Sequence, residues 1–202
     1  MRHRFKELAG ALAAAALAAG LTMAGTGTAR AAVTPPANTW AEIFAPEINA
    51  NGNIMCTDNR SSQAQLNNLI LWHCHGYASD GTPQRWWFRY NGPEFGTGIP
   101  TYRIVSGDSS YCIGLDPNRV NAGTVAGSNL VQESCLSNLS IWQLQPAWYS
   151  PDPNNQFQLV NEFAINHVPY AMEANTFLDT NGNRLIAEPY DYGNSAQWFA
   201  LG

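Results

Sequence analysis

From Trp40 onward the chain is a series of short apolar runs broken by turn-forming residues, and nothing in it reads as a long helix. Candidate strands include Arg103-Ile104-Val105, Leu130-Val131-Gln132, Phe157-Gln158-Leu159-Val160 and Arg184-Leu185-Ile186. Asn-Gly, Gly-Asp-Ser-Ser, Asp-Pro-Asn and Asn-Gly-Asn lie between such runs. Short strands at regular spacing, punctuated this way and in a chain only 12% charged, predict an all-β fold.

The apolar pattern also recurs. Trp86, Trp142 and Trp198 stand 56 residues apart and then 56 again, each opening an apolar run. Cys56 and Cys112 keep the same interval, as do Ile48 and Ile104, and Leu159 follows Ile104 after 55 residues. The third copy carries Ala171 and Tyr190 where the other two carry cysteines. A unit repeated three times constrains a fold more tightly than local propensity does. The copies run approximately over 40–90, 102–148 and 157–202, joined by Asn91–Thr101 and Tyr149–Gln156. Units of this size do not readily build a full core alone, so one closed, pseudo-threefold domain over 40–202 is expected rather than three beads on a string. Trp86, Trp142 and Trp198 are then expected to plug its core.

Composition narrows the setting. Arg2, Arg4 and Lys6 precede an Ala/Leu-rich stretch that ends at Ala29-Arg30-Ala31, so residues 1–31 read as a secretory signal peptide, with 32–39 an irregular lead-in. Without residues 1–31 the chain has 6 basic and 14 acidic side chains, a net charge of −8, and no lysine. Such a surface repels phosphate backbones and anionic headgroups, so neither nucleic acid nor membrane insertion is expected, and neutral ligands are. Four cysteines in an exported chain suggest two disulfides. Of the three pairings, the repeat selects Cys56–Cys74 and Cys112–Cys135, which occupy corresponding places in copies one and two. A metal site at His73-Cys74-His75 is the competing reading, but neighbours on a strand point to opposite faces, so no metal or other cofactor is expected.

An aromatic-x-Ile/Leu-Val-Ser/Asn strand comes first in copies two and three, as Tyr102-Arg103-Ile104-Val105-Ser106 and Phe157-Gln158-Leu159-Val160-Asn161. Cys112-Ile113 and the Val131-x-x-x-Cys135 run follow in copy two. The closing Gln-x-Trp is complete only at Gln84-Arg85-Trp86, with Ser140-Ile141-Trp142 and Ala196-Gln197-Trp198 in the other copies. This resembles the ricin-type lectins, the β-trefoil family named for its Gln-x-Trp repeat. The resemblance implies a β-trefoil and a carbohydrate site made of an Asp two residues after the first cysteine, an aromatic two before the second, and the Gln of Gln-x-Trp. Copy one offers Asp58, Trp72 and Gln84, with His75 a candidate at the rim. At the matching places copy two offers Gly114, Glu133 and Ser140, and copy three Glu173, Glu188 and Ala196. Copy one also has Pro83 and Ile70 where the family often has Asn and Gln.

The competing account of copy one is structural: Asp58 capping a turn, Gln84 ordering a loop, Trp72 part of the core. Asp116-Pro117-Asn118 likewise reads as a turn and His167 as a loop or core histidine. No nucleophile-base grouping, His-Glu-x-x-His or phosphate loop is present, so an enzyme is not expected. The expectation is a secreted lectin module binding a neutral, galactose-like sugar mainly through copy one. A protein-interaction or inhibitor trefoil, or the targeting subunit of a larger assembly, is the alternative.

Overall fold

The computed structural model describes residues 38–48, 52–75, 82–94, 97–147, 155–165 and 168–202. The expected signal peptide, most of the lead-in, most of the Tyr149–Gln156 connection and His167 lie outside the described residues. Twelve strands follow in three sets of four: β1 (Trp40–Phe44), β2 (Met55–Asp58), β3 (Ile70–His73), β4 (Arg85–Pro93); β5 (Pro100–Ser106), β6 (Cys112–Leu115), β7 (Ser128–Glu133), β8 (Trp142–Pro146); β9 (Gln156–Ile165), β10 (Val168–Ala174), β11 (Asn183–Pro189) and β12 (Phe199–Leu201). One short helix, α1 (Pro117–Asn121), begins at the expected Asp-Pro-Asn turn, where the Asp116 carboxylate accepts from the Asn118 N–H at 2.9 Å.

The first and fourth strands of each set close a six-membered ring. Within sets β1 pairs β4, β5 pairs β8 and β9 pairs β12, and between sets β4 pairs β5, β8 pairs β9 and β12 pairs β1. Half of the ring's pairings cross from one repeat to the next, so the repeats form one barrel and not a string of beads. The second and third strands form hairpins β2–β3, β6–β7 and β10–β11 that meet over one end, through β3–β11, β11–β7 and the Asn68–Val131 bridge.

Strand alternation explains the core. Ile43, Ile104 and Leu159 point inward from the first strand of each set and are fully buried. Trp86 and Trp142 plug the barrel and donate their indole N–H groups to the Thr57 and Ile113 carbonyls at 3.0 and 2.8 Å. The third plug is Phe199. Ala41 pairs Trp86, Tyr102 pairs Trp142 and Phe157 pairs Phe199, so Phe199 holds the equivalent place. Trp198 is buried just outside that central cluster, its indole 3.4 Å from the Tyr192 carbonyl. The even tryptophan spacing is therefore one residue out of frame in the third copy. Ile48 is displaced too, because Ile43 is the true partner of Ile104 and Leu159.

Both expected disulfides are present, Cys56–Cys74 and Cys112–Cys135, with Cα atoms 5.0 and 5.1 Å apart. Cys74 is thereby withdrawn from any metal site at His73-Cys74-His75.

Candidate functional site

Asp58 and Trp72 share one face of the β2–β3 hairpin. Asp58 pairs Ile70 and Cys56 pairs Trp72, so the two side chains are diagonal neighbours, while Met55 and Leu71 on the opposite face enter the core. Trp72 stays 36% exposed. It is a surface ring and not core, as a stacking platform requires.

Asp58 is 4% exposed and Gln84 fully buried. Gln84 Nε2 donates to Asp58 Oδ2 and to the His73 carbonyl, both at 3.0 Å, and its Oε1 accepts from the His75 N–H at 2.9 Å. Asp58 Oδ1 accepts from the Arg60 N–H, the turn-capping bond that its position suggests. The turn-capping reading of Asp58 therefore holds, with Gln84 as a second partner of the carboxylate. A carboxylate offers about four acceptor positions, and donors among the described residues take two of them. Burial raises the Asp58 pKa above its ordinary value of 3.8, against the lowering effect of the Arg60 N–H and the Gln84 amide.

Gln84 is buried and uses both amide hydrogens internally, so it braces the carboxylate as a strut. His75 touches the strut through its backbone, and its side chain is exposed at the rim.

The strut recurs in copy three through a residue that a strict Gln-x-Trp match overlooks. Gln197 Nε2 donates to Glu173 Oε2 at 2.9 Å and to the Pro189 carbonyl at 3.0 Å, while its Oε1 accepts from the Asp191 N–H at 3.0 Å. Gln197, not Ala196, thus stands where Gln84 does. Reading Gln-x-aromatic at Gln197-Trp198-Phe199 recovers the pattern. The platform position, however, is Glu188, opposite Ala171. Burial and the neighbouring Glu173 charge raise the pKa of Glu188.

Copy two has neither part. Gly114 holds the carboxylate position, and a Cβ there would lie 2.6 Å from the Glu133 Cβ. Glu133, at the platform position, is buried against it. The Ser140 hydroxyl lies 2.8 Å from the Ser137 carbonyl and 3.1 Å from the Ser134 carbonyl, has one hydrogen to donate to either, and accepts from Arg103 at 2.9 Å.

With the closed six-strand ring, the hairpin cap and the site in view, known structures can be set beside the chain. The designed threefold-symmetric protein ThreeFoil superposes with a TM-score of 0.57 at 21% identity, covering 80% of this chain and 96% of that one. The fold is a β-trefoil. Other similar trefoils include the Rhizoctonia solani agglutinin, with TM-score 0.57, 15% identity and coverage of 84% and 98%. The β-trefoil lectin of the Vibrio vulnificus hemolysin/cytolysin, solved with N-acetyl-D-lactosamine bound, matches with TM-score 0.52, 15% identity and coverage of 82% and 96%. No protein-family model and no curated protein matches the sequence. At such identities the trefoil is shared, and each ligand has to be argued from this chain's own residues.

Proposed function

We propose that this chain is a secreted carbohydrate-binding module that takes a neutral, galactose-like sugar through the first repeat. One observation carries the reading: a carboxylate fixed by a buried amide shares a face with an exposed tryptophan. Vicinal hydroxyls of a sugar donate to the open positions of Asp58, and the C–H face of the ring covers Trp72, with His75 at the rim. Charge-assisted hydrogen bonds of this kind contribute about 1.5–3 kcal/mol each. The galactoside-containing ligand in the Vibrio vulnificus trefoil lectin supports the same sugar class. The role is binding without catalysis, and export follows from residues 1–31 read as a signal peptide.

A protein-docking role is the second reading, favoured by a separate surface. Trp40, 41% exposed, packs edge-on against Trp87 at 5.2 Å with the Arg85 guanidinium 5.4 Å from its ring. Glycan-array binding of residues 32–202, wild type and Trp72→Ala, separates the two, with circular dichroism to verify folding. Binding of galactosides by the wild type and its loss in the variant are expected. Equal binding by both proteins, or none by the wild type, rejects the sugar site at Trp72.

A further inference from the structure

Two amides break the apolar symmetry of the hairpin cap. Asn59 and Gln132 are fully buried. By strand register Asn59 corresponds to Leu115 and Ala174, and Gln132 to Leu71 and Ala187, all four of them core residues. A buried amide costs free energy unless it is hydrogen-bonded. These two are well bonded, and some of the bonds pin the loop after Asp58: Gln132 Nε2 donates to the Ser62 and Ala64 carbonyls at 2.6 and 3.3 Å.

Other bonds run outward, where that loop has no need of them. Asn59 Nδ2 donates to Asp108 Oδ1 and to Ser106 Oγ, the latter at 2.8 Å, and Ser106 Oγ donates to the same Asp108 oxygen at 2.9 Å. Gln132 Oε1 accepts from Ser109 Oγ at 2.5 Å. Asp108 and Ser109 are therefore held in fixed positions by buried groups. Together with Gln63, Gly107, Ser110 and Tyr111 they line a cavity of about 480 Å³. Among the described residues the lining supplies a carboxylate, hydroxyls, an amide and one half-buried phenol ring, and no cationic side chain. An anion would face Asp108 uncompensated; a neutral polyol finds acceptors, donors and a ring face. Asn59 directly follows Asp58 in the chain and its side chain bonds to Asp108, which joins the cavity lining to the first repeat next to Asp58.

We propose that this cavity binds a second saccharide unit, so that the ligand is a neutral oligosaccharide lying across Trp72 and Asp108 and not a single sugar. This rests on the reading of the first repeat as a sugar site. Calorimetric titration of residues 32–202 with methyl galactoside and with a neutral galactose-containing tetrasaccharide tests it. Asp108→Asn removes the charge, and Gln63→Trp fills the cavity from an exposed rim position without touching the buried amides. The wild type is expected to bind the tetrasaccharide about tenfold more tightly than the monosaccharide. Either variant should abolish that advantage, and Gln63→Trp, which touches neither Asp58 nor Asn59, should leave the monosaccharide affinity unchanged. A tetrasaccharide bound no more tightly than the monosaccharide, or equally tightly in wild type and both variants, overturns the second unit alone. Failure of the wild type to bind methyl galactoside overturns the first-repeat reading as well.

Discussion

Gln84 donates its side-chain amide to the Asp58 carboxylate at 3.0 Å, and Gln197 does the same to Glu173 at 2.9 Å. The bond joins the last turn of a repeat to its second strand, beneath the surface on which a ligand would sit. Gln84→Ala leaves Asp58 Oδ2, the His73 carbonyl and the His75 N–H without this partner. The expected loss is about 2–3 kcal/mol of folding stability, read from urea unfolding, together with weaker sugar binding. Unchanged values for both would show that the strut positions nothing.

The third barrel plug is Phe199, and stability measurements can tell it from its neighbour. Phe199→Ala should cost about 3–5 kcal/mol, as expected for a fully buried ring. Trp198→Phe should cost less than about 1.5 kcal/mol. Trp86→Phe and Trp142→Phe should each exceed that value, because each also strands a buried carbonyl, Thr57 or Ile113, at about 1–3 kcal/mol. A larger loss for Trp198→Phe than for Trp86→Phe would restore the evenly spaced frame.

That one-residue offset shows what was legible in the chain and what was not. Three copies, both disulfides and the trefoil could be read from Trp86, Trp142, Cys56 and Cys112, which share one frame. Loop lengths differ, however. The paired residues Phe44 and Cys56 are 12 apart, Val105 and Cys112 only 7, and Val160 and Ala171 are 11. A fixed interval therefore drifts along the chain, and on a pleated strand a slip of one exchanges inward for outward positions. The drift hid Gln197 and promoted Ile48 over Ile43. In the site, spacing found Asp58, Trp72 and Gln84, but an amide that faces a ligand and one that faces a carboxylate look alike in sequence. Nor does spacing reveal Asn59 and Gln132 as buried, since their significance lies in the apolar residues that replace them in the other repeats.

Ligand binding should weaken in acid sooner than an ordinary aspartate would make it. Burial raises the Asp58 pKa above 3.8, so as pH falls the folded protein protonates this group before a free aspartate would. The acceptor of sugar hydroxyls is the ionised form, so affinity is expected to fall as pH drops through the raised value. For folding the same shift has the opposite consequence: ionising a desolvated carboxylate opposes the folded state, so the Asp58 contribution to stability declines as pH rises through that range. Titrations of sugar affinity from pH 7 to 4 check this, with Asp58→Asn expected to be weak and flat. A wild-type profile that is also flat contradicts the role of Asp58.

Each disulfide closes its own repeat, across 18 and 23 residues. Replacing Cys56 and Cys74, or Cys112 and Cys135, by serine should cost roughly 3 kcal/mol per pair in chemical unfolding. Only the first pair lies within the hairpin that carries Trp72, so its loss should also lower sugar affinity. Equal binding by both serine variants would argue against a preorganised first repeat.

The central claim is that a sugar sits on Trp72. The chain has seven tryptophans, and Trp40 is somewhat more exposed than Trp72, at 41% against 36%, which makes it an internal control. The indole N–H signals of residues 32–202, followed by NMR while methyl galactoside is added, report on both rings in one sample. The signal that disappears in Trp72→Phe is predicted to shift progressively to saturation, with the Trp40 signal unmoved. A Trp72 signal that stays in place throughout the titration would contradict the account.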